Sequence, residues 1–218
     1  MALENIFFDF DGVLAESVSA KTEAFREMYA PYGAQISNKV VDYHINNGGV
    51  SRFEKFRFWE KEFFDKDLND EQIQDLASKF SDLVLNKVIN AEKVPYSVEF
   101  LEKYVPNMRF WIITGTPGTE IEIIVKERNI AHYFVGVHGS PKNKRYWSSH
   151  LLNSFELDPQ KTLFIGDATT DLDAAQFSNL HFALRDNAEN KDLFEDYKGI
   201  RFKHFRELET ILLSKNLL

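Results

Sequence analysis

The chain has no cysteine among its 218 residues, so a disulfide framework and a thiolate metal site are both excluded. It also lacks any apolar run near the roughly 20 residues that a spanning helix needs, and no membrane association is expected. The stretch "MALENIFFDF" places no basic residue ahead of its apolar run and does not read as a secretion signal, which makes a cytoplasmic setting the expectation. Positive charge is in short supply. Lys and Arg number 26 against 34 Asp and Glu, a net charge of −8. That balance argues against nucleic acid, whose affinity rests on cations at phosphates. It leaves room for a small phosphorylated ligand, because a local field can oppose the global sign. Gly (10) and Pro (6) together are outnumbered by Phe (20), which points to an aromatic-rich core rather than a loop-rich chain. With 44% hydrophobic residues the chain can bury a sizeable core, and its length suits one large domain or a domain carrying a smaller insert.

Short apolar runs punctuate the sequence. "NIFFDFDG" ends at Asp9 and Asp11, "MRFWIITGTPG" at Thr114, and "KTLFIGDATTD" at Asp167. Each has strand length and is rich in Ile and Phe, and "HYFVGVHGS" and "NLHFALRDN" share the form. Helical patterns over 117–128, 144–155 and 170–178 alternate with them. Strands alternating with helices imply a parallel sheet covered on both faces, with its working site beyond the carboxyl ends of the strands. Asp9, Asp11, Thr114 and Asp167 all fall at such ends. Two carboxylates one residue apart repel unless a cation lies between them or one holds a proton.

Residues 15–92 break the alternation and read as helix after helix: "SAKTEAFREMYAPYG", "NKVVDYHINN", "RFEKFRFWEKEFF" and "DEQIQDLASKFSDLVLNKVIN". Ile73, Leu76, Phe80, Leu83 and Val84 share one face of the last, and Phe53, Phe56, Trp59 and Phe63 read as a bundle core. Gly48-Gly49 interrupts the pattern, and Ser51 can cap the helix that follows. His44, His138 and His150 show no metal-ligand pattern and read as core or surface residues.

Taken in order, these segments resemble the four motifs of the haloacid dehalogenase-like phosphotransferases. They are Asp9-Phe10-Asp11-Gly12-Val13-Leu14 with Ser17 behind it, "WIITGTPG" ending in Thr114, "GSPKNK" with its lysines, and "LFIGDATTDLDAA" with Asp167 and Asp171. The match runs from residue 6 to about 175, and the helical insert falls where the family's first type of cap sits. The resemblance implies an α/β fold, a doubly wound (Rossmann-like) parallel sheet core formed by 1–14 and 94–218, with an inserted α-helical cap over 15–93.

It further implies a Mg²⁺-dependent phosphatase acting on a small phosphorylated metabolite. Asp9 would be the nucleophile that forms an aspartyl-phosphate, and Asp11 the proton donor and acceptor. Asp9, Asp11 (through its backbone carbonyl), Asp167 and Asp171 would surround the metal, Asp171 by holding a metal water or orienting the lysine. The Thr114 hydroxyl and Gly115 amide suit phosphoryl oxygens. Lys142 and Lys144 both follow "GSP"; Lys144 is preferred because it opens the helix and fits the family's GSPxxK form. Asp173 reads as an exposed charge, and Glu16 as part of the hinge into the cap. "NGGVSRFEKF" resembles the cap substrate loop of phosphoglycolate-phosphatase-like and β-phosphoglucomutase-like members, which gives Arg52 and Lys55 a role toward an anionic substrate. The same motifs serve a β-phosphoglucomutase-like mutase. A phospho-accepting receiver domain shares the strand-end acids but not the length or the cap. Monomer and homodimer are both open.

Overall fold

The computed structural model describes residues 2–218. Six parallel strands form one sheet: β1 (Asn5–Phe8), β2 (Arg109–Pro117), β3 (Gly136–Ser140), β4 (Thr162–Gly166), β5 (His181–Arg185) and β6 (Ile200–Phe202). Their order across the sheet is β3-β2-β1-β4-β5-β6. The chain steps outward from β1 to β2 and β3, then returns to the other side of β1 at β4. Strand order therefore reverses between β1 and β4, the crevice where doubly wound sheets bind ligands. Phe8 pairs with Ile112 on one side and Ile165 on the other, so the next residue, Asp9, emerges at that crevice.

Alternation along the strands divides the core. Ile6, Phe8, Phe110, Ile112, Leu163 and Ile165 point to one face. There they meet α5 (Ser97–Tyr104), α6 (Gly118–Glu127) and α9 (Phe205–Ser214) through Phe100, Ile121, Ile124, Phe205 and Leu208. Phe7, Trp111, Ile113 and Phe164 point to the other face, against α7 (Lys144–Ser154) and α8 (Thr169–Phe177). Both faces are dry, as expected for strands that read as near-continuous apolar runs.

The insert is four helices: α1 (Val18–Tyr29), α2 (Ala34–Asn46), α3 (Arg52–Phe64) and α4 (Asp70–Ile89). Phe25 stacks on Phe80 with ring centroids 4.0 Å apart, and Phe56 and Trp59 close around them. Of the expected stripe, Phe56 and Trp59 are fully buried, while Phe53 and Phe63 pack at its margin. Ser51 accepts from the Phe53 amide to start α3 (3.2 Å), and a reciprocal Asn69–Gln72 capping box starts α4. The insert joins the sheet through two adjacent passages, where the Glu16 amide donates to Glu92 and the Val94 amide to Leu14. Arg128 at the end of α6 donates to the carbonyls of Val88, Ile89 and Ala91, satisfying the carboxyl end of α4.

The sheet departs from the sequence expectation at two points. Strand β2 continues past Thr114 to Pro117, with a register shift after Ile113. A sixth strand, β6, and helices α5 and α9 complete the layers.

The loop Gly48-Gly49 lies directly on the sheet's carboxyl end. The Gly48 carbonyl accepts from Thr170 Oγ1 (3.0 Å). A Cβ on Gly115 would stand 2.5 Å from the Gly49 carbonyl oxygen, so only glycine permits this contact. Gly115→Ala should lift the loop and cost about 1–3 kcal/mol in urea unfolding. An unchanged midpoint would show that the contact does not hold the insert down.

Candidate active site

Three buried carboxylates converge at the switch crevice. Asp9 follows β1, Asp167 follows β4, and Asp171 lies in the first turn of α8; one oxygen from each lies within 4.8 Å of the others. Lys144, first residue of α7 and 4% exposed, enters from the side with Nζ 3.0 Å from Asp9 and 2.6 Å from Asp171. Its placement is local in origin: the Asn143 side chain caps α7 by accepting from the Tyr146 amide, which turns Lys144 inward. Lys142 is exposed and lies over the Tyr146 ring. The geometry thus brings Lys144, not Lys142, to the acids.

Charge governs this cluster. Burial lowers the affinity of the Lys144 ammonium for its proton, but Asp171 and Asp9 outweigh it and raise the group above its usual range. Burial, then Asp9 and Asp171, push the Asp167 carboxyl well up. Burial also pushes Asp171 up to about 7, against the pull of Lys144. One ammonium therefore does not balance three carboxylates. Asp9 Oδ1 is buried without a hydrogen-bond partner. A divalent cation fits such a site, since it takes carboxylate oxygens and supplies the missing charge. The buried acidic group of Asp9, Asp167 and Asp171 could bind a metal.

Asp11 turns away from this cluster. Its carboxylate accepts from Ser17 Oγ (2.6 Å), Thr116 Oγ1 (3.0 Å) and the Lys21 ammonium. Burial works to raise it, and these partners hold it below the ordinary carboxylate range. Lys21 Nζ also donates to Thr116 (2.7 Å), so α1 of the insert is tied to the acid. Of the four expected metal residues, three side chains gather and the Asp11 side chain does not. Thr114, 2% exposed, sits at the irregularity in β2 and accepts from the Thr116 amide (3.3 Å). Asp167 is fixed by Asn187 (2.7 Å to Oδ2) and Asn190 (2.8 Å to its carbonyl).

A cleft lies between these groups and the insert. Gly115, Arg52 and Lys55 all line it, as do Lys21, Phe25, His44 and Phe80. Arg52 is already engaged: its guanidinium forms a two-pronged pair with Glu120 on α6 (2.5 and 2.8 Å) and bonds Ser81 on α4 (2.7 Å). Among the described residues, the only hydrogen-bond partner of Lys55 Nζ is His44 Nδ1, at 2.8 Å. Asp173 pairs with Arg145 at the surface, and Glu16 pairs with Arg185 beside Gly12.

Several of these residues escaped the sequence reading. Asn187 follows β5, where the strand-end rule already pointed, and so carried a usable signal. Thr116 and Glu120 carried none, because each gains its meaning from a partner about 70 to 100 residues away, and Lys21 reads as a helical charge until α1 folds back on Asp11 and Thr116.

Comparison with known proteins agrees with this geometry. A family model described as haloacid dehalogenase-like hydrolase matches residues 6–184. The chain belongs to this family. A phosphoglycolate phosphatase from Mannheimia succiniciproducens is 27% identical over 181 residues, 78% of this chain and 80% of that one. Among solved structures, β-phosphoglucomutase from Clostridium difficile superposes with a TM-score of 0.77 at 20% identity, covering 98% of this chain and 97% of that one. A predicted phosphoglycolate phosphatase from Haemophilus somnus gives 0.72 at 18% identity, over 96% and 97%. The two solved structures share the fold of this chain over nearly its whole length.

Two outcomes test the electrostatics. Lys144→Met should lower stability by roughly 3–5 kcal/mol in urea unfolding, because it strands buried carboxylates without their cation, whereas Lys142→Met should change little. Equal effects would refute the assignment. Asp167 has a raised pKa when folded and an ordinary one, near 3.8, when unfolded. Between those values the folded state binds more protons, so stability is full below the lower value and falls as pH rises through the upper. In chelator, the gain in melting temperature from Asp167→Asn should therefore be larger at pH 8 than at pH 5, as calorimetry can check.

Proposed function

We propose that this haloacid dehalogenase-like hydrolase is a Mg²⁺-dependent phosphatase that hydrolyses a small phosphate monoester through an aspartyl-phosphate on Asp9. One observation carries the reading: Asp9 Oδ1 is buried and unpartnered beside a cleft, while the other oxygen is held by Lys144. A carboxylate kept free of hydrogen bonds, with its neighbour oxygen fixed, is an aimed nucleophile. Asp9, Asp167 and Asp171, with the Asp11 backbone carbonyl, would hold Mg²⁺. When bound, the ion offsets carboxylate–phosphate repulsion and stabilises charge on the phosphoryl oxygens.

The residues then divide the work. An Asp9 oxygen attacks phosphorus, and the bond to the leaving oxygen breaks. Asp11 gives that oxygen its proton, which requires its carboxylate first to leave Lys21 and take up a proton. Water then attacks the phosphoryl group as Asp11 takes back a proton, releasing phosphate and restoring Asp9. Thr114 and the Gly115 amide suit the phosphoryl oxygens, and Lys144 fixes Asp9 between turnovers. In the same reading the domain boundary follows residues 14 and 93, with Glu16 and Arg185 at the hinge. The Gly48-Gly49 loop, seated over Gly115, excludes bulk water when the insert is closed.

Phosphate release from a panel of phosphorylated metabolites should require Mg²⁺, and Asp9→Asn should lower kcat about 10³-fold or more. No release from any ester with Mg²⁺ present would overturn the reading. So would conversion of glucose 1-phosphate to glucose 6-phosphate without net release, which would mark a mutase.

A further inference from the structure

A second opening reaches the carboxyl end of the sheet beside the Gly48-Gly49 loop. Ser140 and Lys142 ahead of α7, Lys144, Thr170 on α8 and Glu54 on α3 form its walls. Gly49, Val50, Thr114 and Gly115 line this opening and the cleft described above alike. The partition between the two is therefore one stretch of backbone seated on another. It is thin: a Cβ on Gly49 would overlap Thr170 Oγ1 and stand 3.0 Å from Lys144 Nζ. Directly behind it lies the ammonium that holds Asp9.

This partition is held less firmly than the insert that carries it. Among the described residues, the loop's one hydrogen bond to the sheet domain runs from Thr170 Oγ1 to the Gly48 carbonyl. The insert as a whole is held by the buried Arg52–Glu120 pair with Ser81, by Lys21 on Asp11 and Thr116, and by Thr22 on Glu189 (3.3 Å). A neutral hydrogen bond is weaker than one to a charged group, and breaking a buried ion pair strands both charges. Gly49 holds φ at +75°, and Gly48 beside it is equally free to rotate. Helix α3 starts afresh at its Ser51 cap, so the loop can move without it. Lifting residues 48–50 is thus a smaller disruption than opening the insert.

The two openings suit different groups. Phe25, Phe80, Val18, Ile45 and Leu193 line the first, which favours a carbon-bearing leaving group. The second suits a small oxyanion. Ser140 in its wall is 5% exposed, and its buried hydroxyl has no partner. The N-terminus of α7, a helix of 11 residues, adds partial positive charge next to it. Lys142, exposed over the Tyr146 ring at the mouth, makes no ion pair among the described residues.

We propose that inorganic phosphate leaves through this second opening when the Gly48-Gly49 loop lifts, while the insert stays latched and the leaving alcohol uses the first cleft. This rests on the phosphatase reading above. There, water breaks the bond between phosphorus and the Asp9 oxygen, so phosphate forms last, next to Lys144 and the second opening.

Oxygen exchange between ¹⁸O-labelled inorganic phosphate and water, with Mg²⁺, tests it without a known substrate. Asp9 attacks phosphate and water departs; solvent water then attacks the aspartyl-phosphate, and each such cycle can replace one labelled oxygen. The number replaced per visit reports how long phosphate is trapped. Glu54→Trp and Lys142→Trp crowd the second mouth and should slow escape relative to chemistry about fivefold or more, read as a shift toward more oxygens replaced per visit. Ile45→Trp crowds the first cleft and should keep the parent's exchange pattern while slowing hydrolysis of p-nitrophenyl phosphate. Partial unfolding lowers the total exchange but not its pattern, so the readout survives a poorly folding variant. An unchanged pattern in both mouth variants overturns the proposal, as does an equal shift in Ile45→Trp. A parent that neither exchanges oxygen nor hydrolyses p-nitrophenyl phosphate overturns the phosphatase reading itself, and the proposal with it.

Discussion

Everything at the carboxyl end of the sheet depends on one imbalance: three carboxylates buried within 4.8 Å of each other, with a single ammonium among them. Burial makes each ionised acid expensive, and mutual repulsion makes it more so. The fold tolerates this because Asp9 and Asp167 sit on two adjacent strands whose pairing cannot shift without unpacking both core faces. Lys144 enters on a capped helix, and two asparagines lock Asp167. Rigid strands therefore hold together charges that would otherwise separate. A divalent cation would release that strain, so the cluster fits a metal-assisted site.

The insert answers the sheet through glycine and charge. Gly49 approaches Thr170 and Gly115 more closely than a side chain would permit, and Gly48 lies against Ala168. Arg52 reaches from α3 to Glu120 on α6, and Ser81 on α4 joins the same carboxylate (2.5 Å). Burial raises the Glu120 carboxyl, and the Arg52 bonds more than offset that, so the pair stays charged. A buried pair of this kind adds little net stability over an apolar contact, but it is intolerant of misalignment. Its effect is to fix where the insert sits, and hence which side chains of the insert face the site. Lys21 does the same for Asp11 from α1.

The sequence exposed those parts of the site whose chemistry is bound to a strand end. Asp9, Asp167 and Asp171 were readable because paired acids after apolar runs have few structural uses, and Lys144 because it opens a helix. The missing pieces share a physical reason. Strand β6 is three residues long at the sheet's edge, too short for alternation to register. Thr114 was read as a strand end because Gly115 follows it, yet the strand resumes beyond a bulge. Glu120 and Lys21 look like ordinary helical surface charges until the insert folds onto the sheet. His44 was read as a core or surface residue, and its burial agrees; its unmatched Nε2 is visible only in three dimensions.

An acidic protein that is to bind a phosphate ester must reverse its own field locally. The net charge of −8 repels an anion at long range, although the Debye length of about 8 Å at physiological salt limits that reach. Inside the cleft the sign depends on which cations remain uncompensated. Lys21, Arg52 and Lys144 are each paired with a carboxylate, which offsets part of the positive potential they place in the cleft. Lys55 is held instead against the His44 imidazole. A buried cation of this kind is costly unless an anion meets it.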